Sequence, residues 1–140
     1  MTKRIKDMTD DEVRDLPGGS YPEYAVQDTA ERAAAAIRLL NYLSLPQDGA
    51  PGLRWPADLY DIVASLKVAA MREPQTFRQM SLWLGEQHAV GKVAHDSGQH
   101  AGGHVAAVRA ALDTAEDAAG VLAEALNRVH NALSGLRAST

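Results

Sequence analysis

Four histidines fall within 17 residues of one another: His88, His95, His100 and His104, with Asp96 among them. Imidazole is the commonest transition-metal ligand, and His100 and His104 stand at i, i+4, a spacing that on a helix sets two rings on one face and suits Zn, Ni or Cu. A metal-binding helical protein using His95, His100 and His104 is therefore one reading. Against it, Gly102 and Gly103 interrupt the pair, Lys92 places a positive charge between His88 and His95, and the spacing matches no established metal signature. The alternative is a set of surface histidines in and around a turn, with His95 favoured near a helix C-terminus by the helix dipole.

Other chemistry is sparser. Asp58 and Asp61 share a face of a predicted helix, where paired carboxylates are usually solvated. No glycine loop that would cradle a phosphate and no serine nucleophile motif occurs, and the chain has no cysteine. No catalytic residue and no cofactor is expected, and the chain is not read as an enzyme. The segment FRQMSLWLGEQHAVGKV admits a helix-turn-helix with Gly85 as the turn residue, and Arg78, His88, Lys92 and His95 lend it local basicity. A small DNA-binding regulator is thus a further alternative. An acidic balance, with net charge -4 and pI near 5.7, opposes attraction to nucleic acid or an anionic membrane. Trp83-Leu84-Gly85 formally fits the W-x-G tripeptide of small helical-hairpin proteins exported by type VII secretion systems. It lies inside a predicted helix and not in a turn, and the match to that family's Y-x-x-x-D/E signal, Tyr24 to Asp28, precedes the bundle. Membership is therefore not inferred, and Trp83 reads as a packing residue.

The elements that must position these residues are helices. Val105, Val108, Leu112, Ala115, Ala119, Leu122, Leu126, Val129, Leu133 and Leu136 follow steps of three and four, which only a long helix uses. With Val105 at heptad position a, the g positions Ala111, Ala118, Ala125 and Ala132 are small, so the expected buried face is a plus d plus g. Arg109, Glu116, Ala123, His130 and Arg137 at e lack the repeated charge complementarity of a zipper, which disfavours a simple parallel homodimer and makes His130 a seam-edge residue. This helix is predicted from about His104 to Arg137, on the order of 50 Å.

Upstream, Thr9 and Glu12 fit a capping box for a short helix within an otherwise extended N-terminal arm, residues 1–25. A helix is expected from Asp28 or Thr29, with Ala33, Ile37 and Leu40 inward, ending before Pro46. The Pro/Gly linker at 46–55 follows. Pro56 opens the next helix, with Leu59, Ile62, Val63, Leu66 and Ala70 inward and Tyr60 at the core edge. Pro74 is expected to break or kink it, and a third helix carrying Phe77, Met80 and Leu84 would run to about Asp96.

The fold read from these elements is all-α: an antiparallel helical bundle of three to four helices, formed by a single domain spanning 26–140. The third helix covers about two thirds of the long one, so part of the seam is expected to overhang. The resulting expectation is a non-catalytic interaction or scaffold protein acting through homo- or hetero-association of its long C-terminal helix. Leu122, Leu126, Val129, Leu133 and Leu136 would carry that contact, with Tyr21 and Tyr24 of the arm adding to it. The expected partner is the protein itself or another helical protein. No run approaches the roughly 20 apolar residues that span a bilayer, and no secretory leader is read at MTKRIKDM, so a cytoplasmic location is expected. Abundant Ala, Arg, Asp, Gly and Val resemble the codon bias of a high-GC bacterium.

Overall fold

The computed structural model describes residues 3–4, 7–18, 21–45 and 53–139. Four helices are found among them and no strand: α1 (Asp10–Arg14), α2 (Ala25–Leu43), α3 (Pro56–Ala89) and α4 (Gly102–Leu133). The chain divides into two compact units, Met1–Arg54 and Trp55–Thr140. The division falls at the end of the expected linker, so α2 groups with the N-terminal segment instead of with a domain from 26 to 140. Most of that linker, residues 46–52, lies outside the described residues.

In the first unit the capping box forms as its residues dictate. The Glu12 N–H donates to Thr9 Oγ1 at 3.2 Å, and the Thr9 N–H donates to Glu12 Oε2 at 2.7 Å. Lys3 Nζ reaches the same carboxylate at 2.9 Å. The N-terminal segment is more than an extended arm, because Met8 and Ala25 are buried with Val13 and Leu16 packed against them. Arg4 and Arg32 hold the segment to α2. Arg4 donates two hydrogen bonds to the Asp28 carboxylate, one of 2.9 Å, and Arg32 donates to the Met8 carbonyl at 3.2 Å. Asp28 is 2% exposed, and a buried carboxylate requires such a partner. That role explains why α2 begins at Ala25, earlier than expected: Asp28 packs inside the first turns instead of capping them, and Tyr24 takes the cap with a left-handed backbone, φ 62°.

The second unit is a helical hairpin. Trp55 enters α3 with its N–H bonded to Asp58 Oδ2 at 2.9 Å, and Pro56 occupies the first turn. The helix then continues through Pro74 for 34 residues, correcting the expected break there. An interior proline offers no N–H to the carbonyl four residues back and costs about 3 kcal/mol. Pro74 lies half-buried on the side facing α4, whose buried Ala119 stands at the same level and takes little space. α3 ends where Gly91 adopts φ 74°, with Gly91 N bonded to His88 O at 3.1 Å and Lys92 N to Gln87 O at 2.9 Å. This pairing is a Schellman stop, which places the end of the helix six or seven residues before the expected Asp96.

Cross-helix contacts fix an antiparallel register. Tyr60 stacks on His130 at 4.1 Å, Lys67 Nζ meets Asn127 Oδ1 at 3.3 Å, Arg78 Nε meets Glu116 Oε1 at 3.0 Å, and Arg109 Nε donates to Ser81 Oγ at 3.1 Å. Numbers rise along α3 as they fall along α4. The seam therefore consists of Val63, Ala70, Phe77 and Leu84, which define position a of α3, together with its e positions Pro74 and Ser81. On α4 it consists of Val105, Leu112, Ala119, Leu126 and Leu133 with the e positions Arg109, Glu116, Ala123 and His130. The expected a, d and g face of α4 is thus rotated: a is buried as read, but e closes the seam in place of d and g.

Two outcomes follow. Ala70 is 1% exposed at the centre of the seam, so Ala70→Leu should overpack it and cost about 1–3 kcal/mol in chemical denaturation. The Glu12 carboxyl is held below its ordinary range by the Thr9 backbone N–H and then by Lys3. Its contribution to α1 is accordingly complete at neutral pH and lost as pH falls through that depressed value. The Thr9 amide resonance in an NMR titration should follow this step, and in Glu12→Gln it should not.

Candidate association surface

The histidines do not assemble as the cluster the spacing suggested. His95 and His104 stack at 3.7 Å with rings 13° from parallel, whereas His100 sits edge-on to His88 at 6.2 Å. Imidazole lone pairs lie in the ring plane, so two stacked rings direct them along parallel planes and not toward one ion. Each ring also has a local duty. His95 Nδ1 accepts the Ser97 N–H at 3.2 Å, and His100 Nδ1 accepts the Gly102 N–H at 3.1 Å, satisfying a donor at the start of α4. Gly102 gives that ring room, since a Cβ there would stand 3.1 Å from it. Among the described residues no three His, Asp or Glu side chains converge as metal ligands. His95, His100 and His104 are therefore corrected from one site to two separate ring pairs.

Gly85 lies within continuous α3, so residues 77–93 make no helix-turn-helix with a turn there. Its duty is steric: a Cβ at Gly85 would fall 2.7 Å from Arg109 Nη1, so the missing side chain is what lets Arg109 cross the seam to Ser81. Asp58 is used in the α3 cap, and Asp61 is exposed. A shallow groove of about 500 Å³ lined by Lys67, Met71, Glu124, Asn127 and Arg128 is mixed in charge and holds no convergent polar set. Among the described residues no helix is long and apolar enough to cross a membrane.

What the hairpin does present is apolar surface. The expected overhang is absent, because α3 and α4 have 34 and 32 residues and match in length. The association residues read from the sequence consequently split. Leu133 is 8% exposed and Leu126 half-buried against α3, while Leu122 at 48%, Val129 and Leu136 are exposed. Tyr21 and Tyr24 are exposed on the first unit.

The geometry places Leu122 and Val129 on one flank, whereas the exposed Val68, Met71, Leu82 and Val121 lie at positions f, b and c, outside it. Arg78 and Gly85, at position b of α3, reach Glu116 and Arg109 at position e of α4, and Asn127, at b of α4, reaches Lys67 at e of α3. Position b of both helices therefore lines one edge of the seam, and d with g lines the other. On α4 the d and g flank holds Val108, Leu122 and Val129 among alanines; on α3 it holds Leu59, Ile62, Leu66, Met80 and Trp83. Trp83 is 60% exposed, not packed in a core as its type suggested. The sequence reading missed the α3 half of this surface. Its signal was the recurrence of large apolar residues at d and g in α3, obscured by reading Pro74 as a break.

No protein-family model, curated protein or solved structure matches the chain. The stacked ring geometry gives an expected outcome: zinc or nickel should leave the thermal midpoint unchanged, because an ion bound only by the native state would raise it. Differential scanning fluorimetry with and without chelator checks this.

Proposed function

We propose that the protein is a non-catalytic helical association module whose working surface is the d and g flank of the α3–α4 hairpin. One observation carries the reading. Two long helices bury a single stripe each, no large side chain among the described residues is fully buried, and a largely apolar flank, in which Glu73, Thr76 and Gln87 are the polar residues on α3, stays mostly exposed. Helical folds usually close such a face with further helices, and contiguous exposed apolar surface marks sites of protein contact. Leu122 and Val129 belong to this surface, Leu136 is exposed beyond the end of α4, and Leu126 and Leu133 support the surface from within the seam. The exposed Leu39, Tyr42 and Leu43 of α2, spaced i, i+3, i+4, offer a second, shorter apolar face.

The test separates the two groups of leucines. Leu133→Ala should lower folding stability by about 2–5 kcal/mol. Leu122→Glu and Val129→Glu should retain helix content while weakening association, read by circular dichroism and light scattering, and their unfolding midpoints should stay near wild type when both are compared at concentrations where the protein is monomeric. A Leu122→Glu loss of monomer folding stability equal to that of Leu133→Ala would sink the association reading, since Leu122 would then be core of the single chain.

A further inference from the structure

We infer that the occupant of the d and g flank is a second copy of this chain, so that two hairpins form an antiparallel four-helix bundle. The inference rests on the association reading above and names its partner. Length decides among occupants. The flank is two helices wide and about 50 Å long, whereas a single helix of the size of α2, 19 residues, would reach about 28 Å and cover one helix width. A second hairpin matches both dimensions. With helix axes about 8–10 Å apart, the face measures on the order of 900 Å², against the roughly 800 Å² per partner of a standard stable interface.

Side-chain size supports the same occupant. The α3 half of the flank carries the large residues, and the α4 half carries alanine at g positions 111, 118, 125 and 132. Turning a copy by 180° about an axis parallel to the helices lays each α3 over the other copy's α4, with all neighbours antiparallel. By the cross-helix register, Trp83 and Met80 then stand level with Val108 and Ala111, and Leu66 with Ala125. Large side chains thus meet alanines at Met80 over Ala111 and Leu66 over Ala125, and Ala69 receives Leu122. Charge selects this axis over its alternative. Glu73 is the one acidic or basic residue of the Asp, Glu, Lys and Arg set at d or g in either helix, and it lies at the middle of α3. An axis across the helices would lay α3 on α3 and bring the two Glu73 side chains together, where like charges repel. The parallel axis sets Glu73 over Ala118 instead.

The experiment uses the full chain. Light scattering over a concentration range should give twice the 15.0 kDa chain mass. Leu122→Glu should weaken the dimer at least about tenfold with helix content retained, and Met71→Glu, on the opposite flank, should leave it intact. Since the chain has no cysteine, Glu73→Cys mixed with Ala118→Cys should form an inter-chain disulfide under mild oxidation, and Glu73→Cys alone should not. A self-crosslink of Glu73→Cys, or a dimer weakened by Met71→Glu and not by Leu122→Glu, would overturn the arrangement. A monomer at every concentration would overturn the second copy, and Trp83 fluorescence in a Trp55→Phe background then separates the two readings. Water-exposed emission would leave the association reading standing with a foreign helical partner. Buried emission that Leu39→Glu shifts to the red would assign the flank to the chain's own α2, and both readings would fail.

Discussion

The hairpin depends on how narrowly α3 and α4 can approach each other. Ala70 and Ala119 are buried along the seam, and Pro74 faces α4 at the level of Ala119, so the centre of the contact is built from small or compact residues. Close approach concentrates burial on a thin stripe. Larger residues such as Phe77, Leu84, Leu112 and Leu126 reach only half-burial beside it. A helix pair joined this way is well registered yet poorly enclosed, because two cylinders shield only the line where they touch. The exposed flank is a geometric consequence of that constraint.

Polar side chains then regulate the edges of the seam. Arg78 pairs with Glu116, Arg109 crosses above Gly85 to the buried Ser81, and Tyr60 stacks on His130. Individually such contacts contribute little, since exposed ion pairs are worth about 0–1 kcal/mol. Their spacing along both helices matters more. Each is compatible with one antiparallel register, so together they oppose sliding of one helix past the other. Two histidines of the turn act in the same structural manner: His100 satisfies the Gly102 N–H that the start of α4 would otherwise leave open, and His95 accepts the Ser97 N–H within the turn.

The first unit is held by a different physics. Its apolar cluster is small, Met8 and Ala25 with Val13 and Leu16, and the Arg4–Asp28 pair anchors the segment beside it. Burial of Asp28 without Arg4 would leave a carboxylate stripped of water. The remainder of α2 carries Leu39, Tyr42 and Leu43 in solvent, so here too the helix forms with an apolar face that the described residues do not cover.

The sequence by itself determined that the chain is helical, where several helices begin or end, and the class of fold. The 3-4 spacing of α4, the Thr9–Glu12 box and Pro56 at a helix start are local signals, and local backbone physics enforces them. His130 and Tyr60 were legible as edge residues for the same reason. Tertiary structure alone decided which stripe is buried, because positions d and g of α4 are as apolar as position a, and one helix cannot say which face its neighbour prefers. The choice falls to a and e since α3 presents Pro74, Ser81 and small Ala70 there, and Glu116 and Arg109 find partners across the gap. Continuity through Pro74 was likewise invisible locally, as the loss of one hydrogen bond is judged against a contact that runs the length of both helices. Periodicity belongs to one helix; burial belongs to a pair.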